Sequence, residues 1–299
     1  MSLAAEIAAA KAEFPTSLGT AGLRKLGSDF LRQSLFSARM TNAIAVQALR
    51  EAVQKVVTGT DNIAEARLKL KQIGSALDYD PATGFPGEGP VPPAEAGSLL
   101  DLYSTDRINL QLKTQEDLAQ GAAKNVWGNE PAQLEQYPAW ELVRVYAVEV
   151  ERGLQRRKGG LIPVPEDAWD SANGRWHHAC VESGDTEAMR IFTETGRMIA
   201  RKDSPVWQAL GDGAGGYDDT LGNDFEPFAF NSGMGREEIS AEEFEELGGN
   251  AEGLRAGATG LNDEIDVSEG RFDPDVLETL KDALESGDLK FRVKVNVNE

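Results

Sequence analysis

The chain reads as an α+β protein, mainly helical, and three observations point there. Two apolar stripes at helical spacing follow one another between residues 42 and 77, separated by one short glycine-containing break. Phe291, Val293, Val295 and Val297 alternate with Arg292, Lys294 and Asn296, the period of a half-buried strand. Between these ends, Gly196–Gly235 is too dense in Gly, Asp and aromatic residues for either regular element. Long irregular segments inside a compact domain are functional or disordered, and aromatic content argues against disorder.

Taken in order, residues 1–79 form an N-terminal helical region. Ile44, Ala48, Leu49, Ala52, Val53 and Val56 draw one stripe, and Gly59 supplies the left-handed stop. Asn62 with Glu65 makes a capping box for the next helix, which carries Ile63, Ala66, Leu70, Ile73 and Leu77. The two read as a helical hairpin whose stripes bury against each other, and residues 14–36 read as a shorter helical approach. Residues 80–97 hold five prolines and four glycines and read as an exposed Pro/Gly linker.

Residues 98–235 form the expected α+β body. Ser104 caps a long helix through about Trp127, with Ile108, Leu112, Ala119, Ala122 and Val126 near one face, and Pro131 and Pro138 interrupt regular structure beyond it. Val143, Val145 and Ala147 alternate as a strand, and the basic knot Arg156, Arg157 and Lys158 leads into a solvated turn. Residues 236–299 form an acidic helix–strand extension. Ser240 with Glu243 starts one helix, and Asp273–Pro274 starts another that runs through Val276, Leu277, Leu280 and Leu284 to Gly287.

Of 299 residues, 40% are hydrophobic and 27% charged, ordinary for a globular chain, but the net charge is −20. The acid excess lies beyond residue 80. Such a surface repels phosphate backbones and anionic membranes, so direct nucleic-acid binding is not expected. It suits high solubility or a basic protein partner. The single cysteine, Cys180, makes no internal disulfide. No segment is apolar enough to span a membrane, and MSLAAEIAAAKAEF lacks the layout of a signal peptide, so a soluble, cytoplasmically made protein is expected.

Candidate chemistry is sparse. His177, His178, Cys180 and Asp185 fit no zinc spacing, and no elbow or oxyanion hole marks Cys180 with His178 as a nucleophile pair. Asp212, Asp218, Asp219 and Asp224 fall in a glycine-rich loop that could take a cation, yet Gly213, Ala214 and Gly215 stand where an EF-hand needs ligands. GDGAGG is followed by no Lys-Ser/Thr pair and is no phosphate cradle. No catalytic, cofactor-binding or metal-binding residue is therefore assigned, and no cofactor is expected.

Several blocks resemble the phage head morphogenesis proteins, the minor head family related to the Mu-like F protein, in a subgroup carried by prophages. They are FPTSLGTAGLRKLGSDFLRQSLFSARMTNAIAVQALREAVQKVVTG with NIAEARLKLKQ, then DRINLQLKTQEDLAQGAAKNVWG, YPAWELVRV and, most specific, GRMIARKDSPVWQALGDGAGGYDDTLGNDFEPFAFNSGMG. The likeness covers about residues 14–247. It implies a non-enzymatic structural protein of the virion head, assembled in the bacterial host cytoplasm at the portal vertex. Portal or major capsid protein would be its partner, and it would be multimeric in the virion. The Cys/His ending of many members is absent, and so is an ADP-ribosyltransferase signature of the kind some relatives carry. Two alternatives stay open: another virion part, such as a head–tail connector or capsid-binding protein, and an ADP-ribosyltransferase-like enzyme. Candidate partner contacts are Trp207, Phe228, Phe230 and Asn231, for which ordinary core packing is the competing reading.

Overall fold

The computed structural model describes residues 2–19, 22–23, 34–88, 92–145, 154–157, 160–163, 172–217, 219–230, 232–255, 265–266 and 293–294. The fold is α+β and mainly helical, as the sequence predicts. Two compact units divide it: Met1–Ala123 with Gly260–Glu299, and Lys124–Thr259.

In the first unit the hairpin helices span Ala43–Val57 and Ile63–Ala76. Asn42 caps the first by accepting from Ala45 N at 3.1 Å. Asn62 and Glu65 close both halves of the capping box, each at 3.0 Å. Gly59 takes φ +71°, the left-handed conformation that only glycine adopts without strain. Ala45, Val46, Leu49, Val53 and Val56 bury against Ala66 and Leu70. Ile44 departs from expectation: at the edge of the stripe, in the first helical turn, it is 59% exposed. A Leu3–Ala10 helix, inside the expected N-terminal helical region, packs on the hairpin and is capped by Ser2.

The expected helical approach over residues 14–36 is not helical where its ends are described. Phe14 N donates to Leu35 O at 3.0 Å and Thr16 N to Met40 O at 2.8 Å, so these amides find partners in another segment rather than one turn back. β1 (Ala12–Glu13) runs parallel to β2 (Ser34–Leu35). Within that segment Gly22 and Leu23 are helical, with Leu23 N donating to Gly19 O at 3.0 Å, and residues 20–21 and 24–33 lie outside the described residues.

The Pro/Gly-rich segment, expected as an exposed linker, is exposed over most of residues 80–88 and 92–97, but Gly84 and Phe85 turn inward and are buried. Asp80 bridges Gly84, and Phe85 is buried against Tyr79 and Tyr103, with ring centroids 5.1 and 6.2 Å away. Glu88 accepts from Asn42 Nδ2 at 2.8 Å and from the Thr41 hydroxyl, pinning the loop at the hairpin's first N-terminus, where a carboxylate also complements the helix dipole. Proline and glycine set the turns, and aromatic burial does the rest.

The long helix spans Thr105–Gly128, with Ser104 Oγ accepting from Arg107 N at 3.1 Å. In the second unit, β3 (Ala139–Arg144) is the centre of an antiparallel sheet ordered β6–β3–β7, with β6 Ile199–Arg201 and β7 Met234–Ile239. Trp140, Leu142 and Ala200 face the helices Ala172–Ser183 and Val206–Asp212. Ala139, Ile199 and Ile239 face Phe244 of the Ala241–Glu246 helix and Ile191 of the Thr186–Thr195 helix. Ser240 caps its helix as expected, but the Glu243 carboxylate serves Arg197 at 2.7 Å.

Arg156 and Arg157, expected in a turn, lie on β4 (Leu154–Arg157), paired antiparallel with β5 (Gly160–Pro163). Val143 lies on β3, while Ala147 and Lys158 fall outside the described residues. In the C-terminal extension, β8 (Ile265–Asp266) runs parallel to β9 (Val293–Lys294), inside the expected final strand; the expected 273–287 helix lies outside the described residues.

Candidate functional site

The core of the second unit is built around charge as much as around apolar surface. Trp140, the second residue of β3, is fully buried and has three cations over its ring: Lys202 Nζ at 4.3 Å, the Arg236 guanidinium at 4.5 Å and Lys124 Nζ at 5.7 Å. The ring's negative faces favour such neighbours, most strongly where water is excluded. Arg236 is only 1% exposed and also lies 5.6 Å from the Trp207 ring.

Each of its three nitrogens donates: Nε to Glu226 Oε2 at 2.6 Å, Nη2 to Asn125 Oδ1 at 3.1 Å and Nη1 to Asp224 O at 3.4 Å. Lys202 Nζ donates to Gly128 O at 2.8 Å and forms an ion pair with Glu238 at 2.7 Å. Gly128 is required here, because a Cβ would run into the Trp140 ring.

The two carboxylates of this network are held differently. Burial pushes Glu226 up, but the charges of Arg236 and Lys124, with hydrogen bonds from Arg236 and from its own backbone, outweigh it, and its carboxyl ends below the usual range. At Glu238 burial dominates the opposing pull of Lys202, and the carboxyl is raised. Burial likewise lowers the Lys202 ammonium against the attraction of Glu238.

Around this core the described residues of the Gly/Asp/aromatic segment pack closely. Gly211, Gly213 and Gly215 permit close approaches: a Cβ at Gly211 would strike the Asn223 carbonyl, and one at Gly215 would lie 2.7 Å from the His178 ring. Asp219 accepts a two-pronged pair from Arg175, at 2.8 and 2.9 Å, and Arg175 lies 4.0 Å over the Tyr217 ring. Asp203 takes both prongs of Arg201 at 2.8 and 3.0 Å.

Cys180 is buried, and its thiol is pushed up to about 12, first by burial and then by Asp185. It stays protonated, which is the opposite of an activated nucleophile. His177 and His178 point outward, stacked edge-on at 5.7 Å. Among the described residues no three His, Cys, Asp or Glu side chains converge as a metal site would require.

A surface groove of about 460 Å³ opens between the helices Ala172–Ser183 and Thr186–Thr195. Cys180, Val181, Gly184, Asp185, Thr186, Met189, Arg190, Thr193 and Glu194 line it.

The four candidate contact residues separate. Trp207 and Phe228 stack at 6.1 Å inside the core, 2% and 5% exposed, and the Trp207 indole donates to Arg201 O at 2.8 Å. For these two, core packing is what the structure displays. Phe230 is half-buried, its amide donating to Asp219 O at 3.0 Å, and Asn231 lies outside the described residues. Of the loop aspartates, Asp212 is bound to Gln208 at 2.8 Å and raised by burial, Asp219 is committed to Arg175, and Asp218 lies outside the described residues.

The sequence reading missed Lys124, Lys202, Arg236, Glu226 and Glu238. A strand spelled MGREEI hides its buried side, because Arg236 and Glu238 occupy inward positions that ordinarily hold apolar residues. The available signal was Trp140–Leu142 on the paired strand, which fixes the inward face.

No protein-family profile, curated protein or solved structure matches the chain. Among the described residues no helix is long and apolar enough to cross a membrane.

Proposed function

We propose that this chain is a structural protein of a tailed phage or prophage, a minor head protein acting at the portal vertex during head morphogenesis. It works by docking, with portal or major capsid protein as partner, as a multimer in the virion head assembled in the host cytoplasm. The sequence blocks quoted above support the family. One structural observation carries the mechanism: ionisable groups of the most family-like block are committed to partners within it or beside it. Asp203 holds Arg201, Asp219 holds Arg175 and Glu226 holds Arg236. Catalytic groups instead display shifted affinities for protons toward an open cleft. Here the strongest network is buried beneath Trp140 and Trp207, so its chemistry shapes a rigid body rather than facing substrate.

Copy number in purified particles, read by quantitative mass spectrometry with cross-linking, tests this. A few copies per particle cross-linked to portal protein support the reading. A full ring of copies would assign a connector instead, and hundreds a capsid decorator. Transfer of ADP-ribose to host proteins by the purified chain would replace it with the enzymatic alternative.

A further inference from the structure

We propose that Arg39 and Arg107, in the first unit, form a binding site for a phosphate group. The inference goes beyond the virion reading above and does not depend on it. Three observations carry it.

Two cations meet with only neutral groups between them. Arg107, in the first turn of the long helix, donates through Nη2 to Ser37 Oγ at 3.1 Å and to Ala38 O at 3.3 Å. Its Nη1 donates to Leu99 O at 3.3 Å, and its Nε is buried without an acceptor. These bonds press the guanidinium onto the turn that carries Arg39, whose ends are tied by Met40 N donating to Ser37 O at 3.0 Å. Burial first, and then the charge of Arg39, lower the Arg107 guanidinium.

The acids close by in the chain are used elsewhere. Asp101 accepts from Gly97 N at 2.9 Å and Tyr103 N at 3.1 Å, and Glu88 accepts from Asn42 Nδ2 at 2.8 Å. With 50 acidic side chains against 30 basic ones, a carboxylate is the ordinary neighbour of an arginine in this chain. Arg50 meets Glu13 at 2.8 Å, Arg197 meets Glu141 at 2.5 Å and Arg236 meets Glu226 at 2.6 Å.

Arg39 is held against its own preference. It is the third residue of the Ser37–Met40 turn and takes φ +66°, where Gly or Asn is favoured. Its guanidinium lies beside Gly19, with Nε 3.8 Å from where a Cβ would stand, and its side chain has no hydrogen bond or ion pair with the described residues. Backbone strain that brings a side chain no partner within the fold is a mark of a functional position.

The unmet charge selects the ligand. A phosphate group near neutral pH carries close to two negative charges and balances both guanidinium groups, whereas a carboxylate balances one. Planar guanidinium forks also match phosphate oxygens in pairs. Both arginines are half-buried, so the site opens to solvent.

The test titrates the full chain with inorganic phosphate and, separately, with methyl phosphate, read by calorimetry at an ionic strength held constant with chloride. Saturable binding is expected. Tighter binding of methyl phosphate assigns the site to esterified phosphate, and tighter binding of the inorganic ion assigns it to free phosphate; either supports the proposal. Arg39→Asn should weaken binding by ~10-fold or more, the loss of one charge-assisted contact. Arg67→Gln removes another first-unit arginine, bonded to Asn109 at 2.9 Å, and should leave affinity unchanged. In phosphate-free buffer Arg39→Asn should raise the urea midpoint by circular dichroism, because it relieves both the repulsion and the left-handed strain; the same trace shows that the variant folds.

No saturable binding of either phosphate overturns the proposal. So does unchanged affinity in Arg39→Asn, or an equal loss in Arg67→Gln, which would reduce the effect to general electrostatics. A lowered midpoint for Arg39→Asn without phosphate would make Arg39 a structural strap and overturn it as well.

Discussion

The helical hairpin of the first unit and the sheet core of the second are stabilised by different means. In the hairpin, Ala45, Val46, Leu49, Val53 and Val56 interlock with Ala66 and Leu70, and its ion pairs, such as Lys69–Asp61 at 2.6 Å, stay at the surface. In the second unit, Trp140, Trp176, Trp207 and Arg236 are the bulkiest fully buried side chains, and Lys202 and Glu226 accompany them inside. Removing methylenes from the hairpin costs stability in proportion to the cavity left. Removing one charge from the sheet core strands its partner without water, a cost set by desolvation. The hairpin should therefore weaken by degrees and the sheet core abruptly.

All five tryptophans fall within the second unit, so tryptophan fluorescence during urea unfolding reports that unit, while circular dichroism reports helices of both. The largest effect is expected from Arg236→Ala. It leaves Glu226 buried and unbalanced and should cost about 3–5 kcal/mol in the fluorescence transition. A cost below ~1 kcal/mol would break the contrast between the two regions. Next comes Gly128→Ala, which drives a Cβ into the Trp140 ring and should cost about 1–3 kcal/mol in the same transition.

Acid sensitivity sharpens the contrast further. Glu226 is held below its ordinary value of 4.5, so as pH falls the unfolded chain takes up that proton first. Its contribution is complete above that value and disappears as pH drops through the lowered folded value. Glu226→Gln should therefore flatten the acid limb of stability against pH, measured by urea titrations across that range; an unchanged slope would contradict the assignment. Smaller still is Asn62→Ala, which removes one helix cap and should cost ~1 kcal/mol by circular dichroism while leaving the fluorescence transition in place. Ile44→Lys, at an exposed position, should stay within about 0.5 kcal/mol.

The same contrast explains what the sequence revealed. Hairpin stripes, Asn62–Glu65, Ser104 and Ser240 were legible because caps and helical period are local, acting within four residues. Phe85 was hidden because a proline-rich segment advertises its turns and not where its aromatic ring goes. Arg236 and Glu238 were hidden for a deeper reason: their inward placement is fixed by pairing with Trp140 and Leu142 on a strand far along the chain. The groove at Val181 and Met189 was invisible for the same reason, since only the turn at Gly184 brings those helix faces together. Ser34 and Leu35 were read as helical because their pairing with Ala12 and Glu13 leaves no periodic trace.

Glu226 of the most family-like block and the adjoining Arg236 act on each other as scaffold, and the double-mutant cycle of Arg236→Ala with Glu226→Ala tests this most directly. Measured as unfolding free energy by tryptophan fluorescence, the double variant should lose less than the sum of the two single losses, with a coupling of about 1–3 kcal/mol. Losses that add to within ~0.5 kcal/mol would mean the two charges do not depend on each other, and would contradict it.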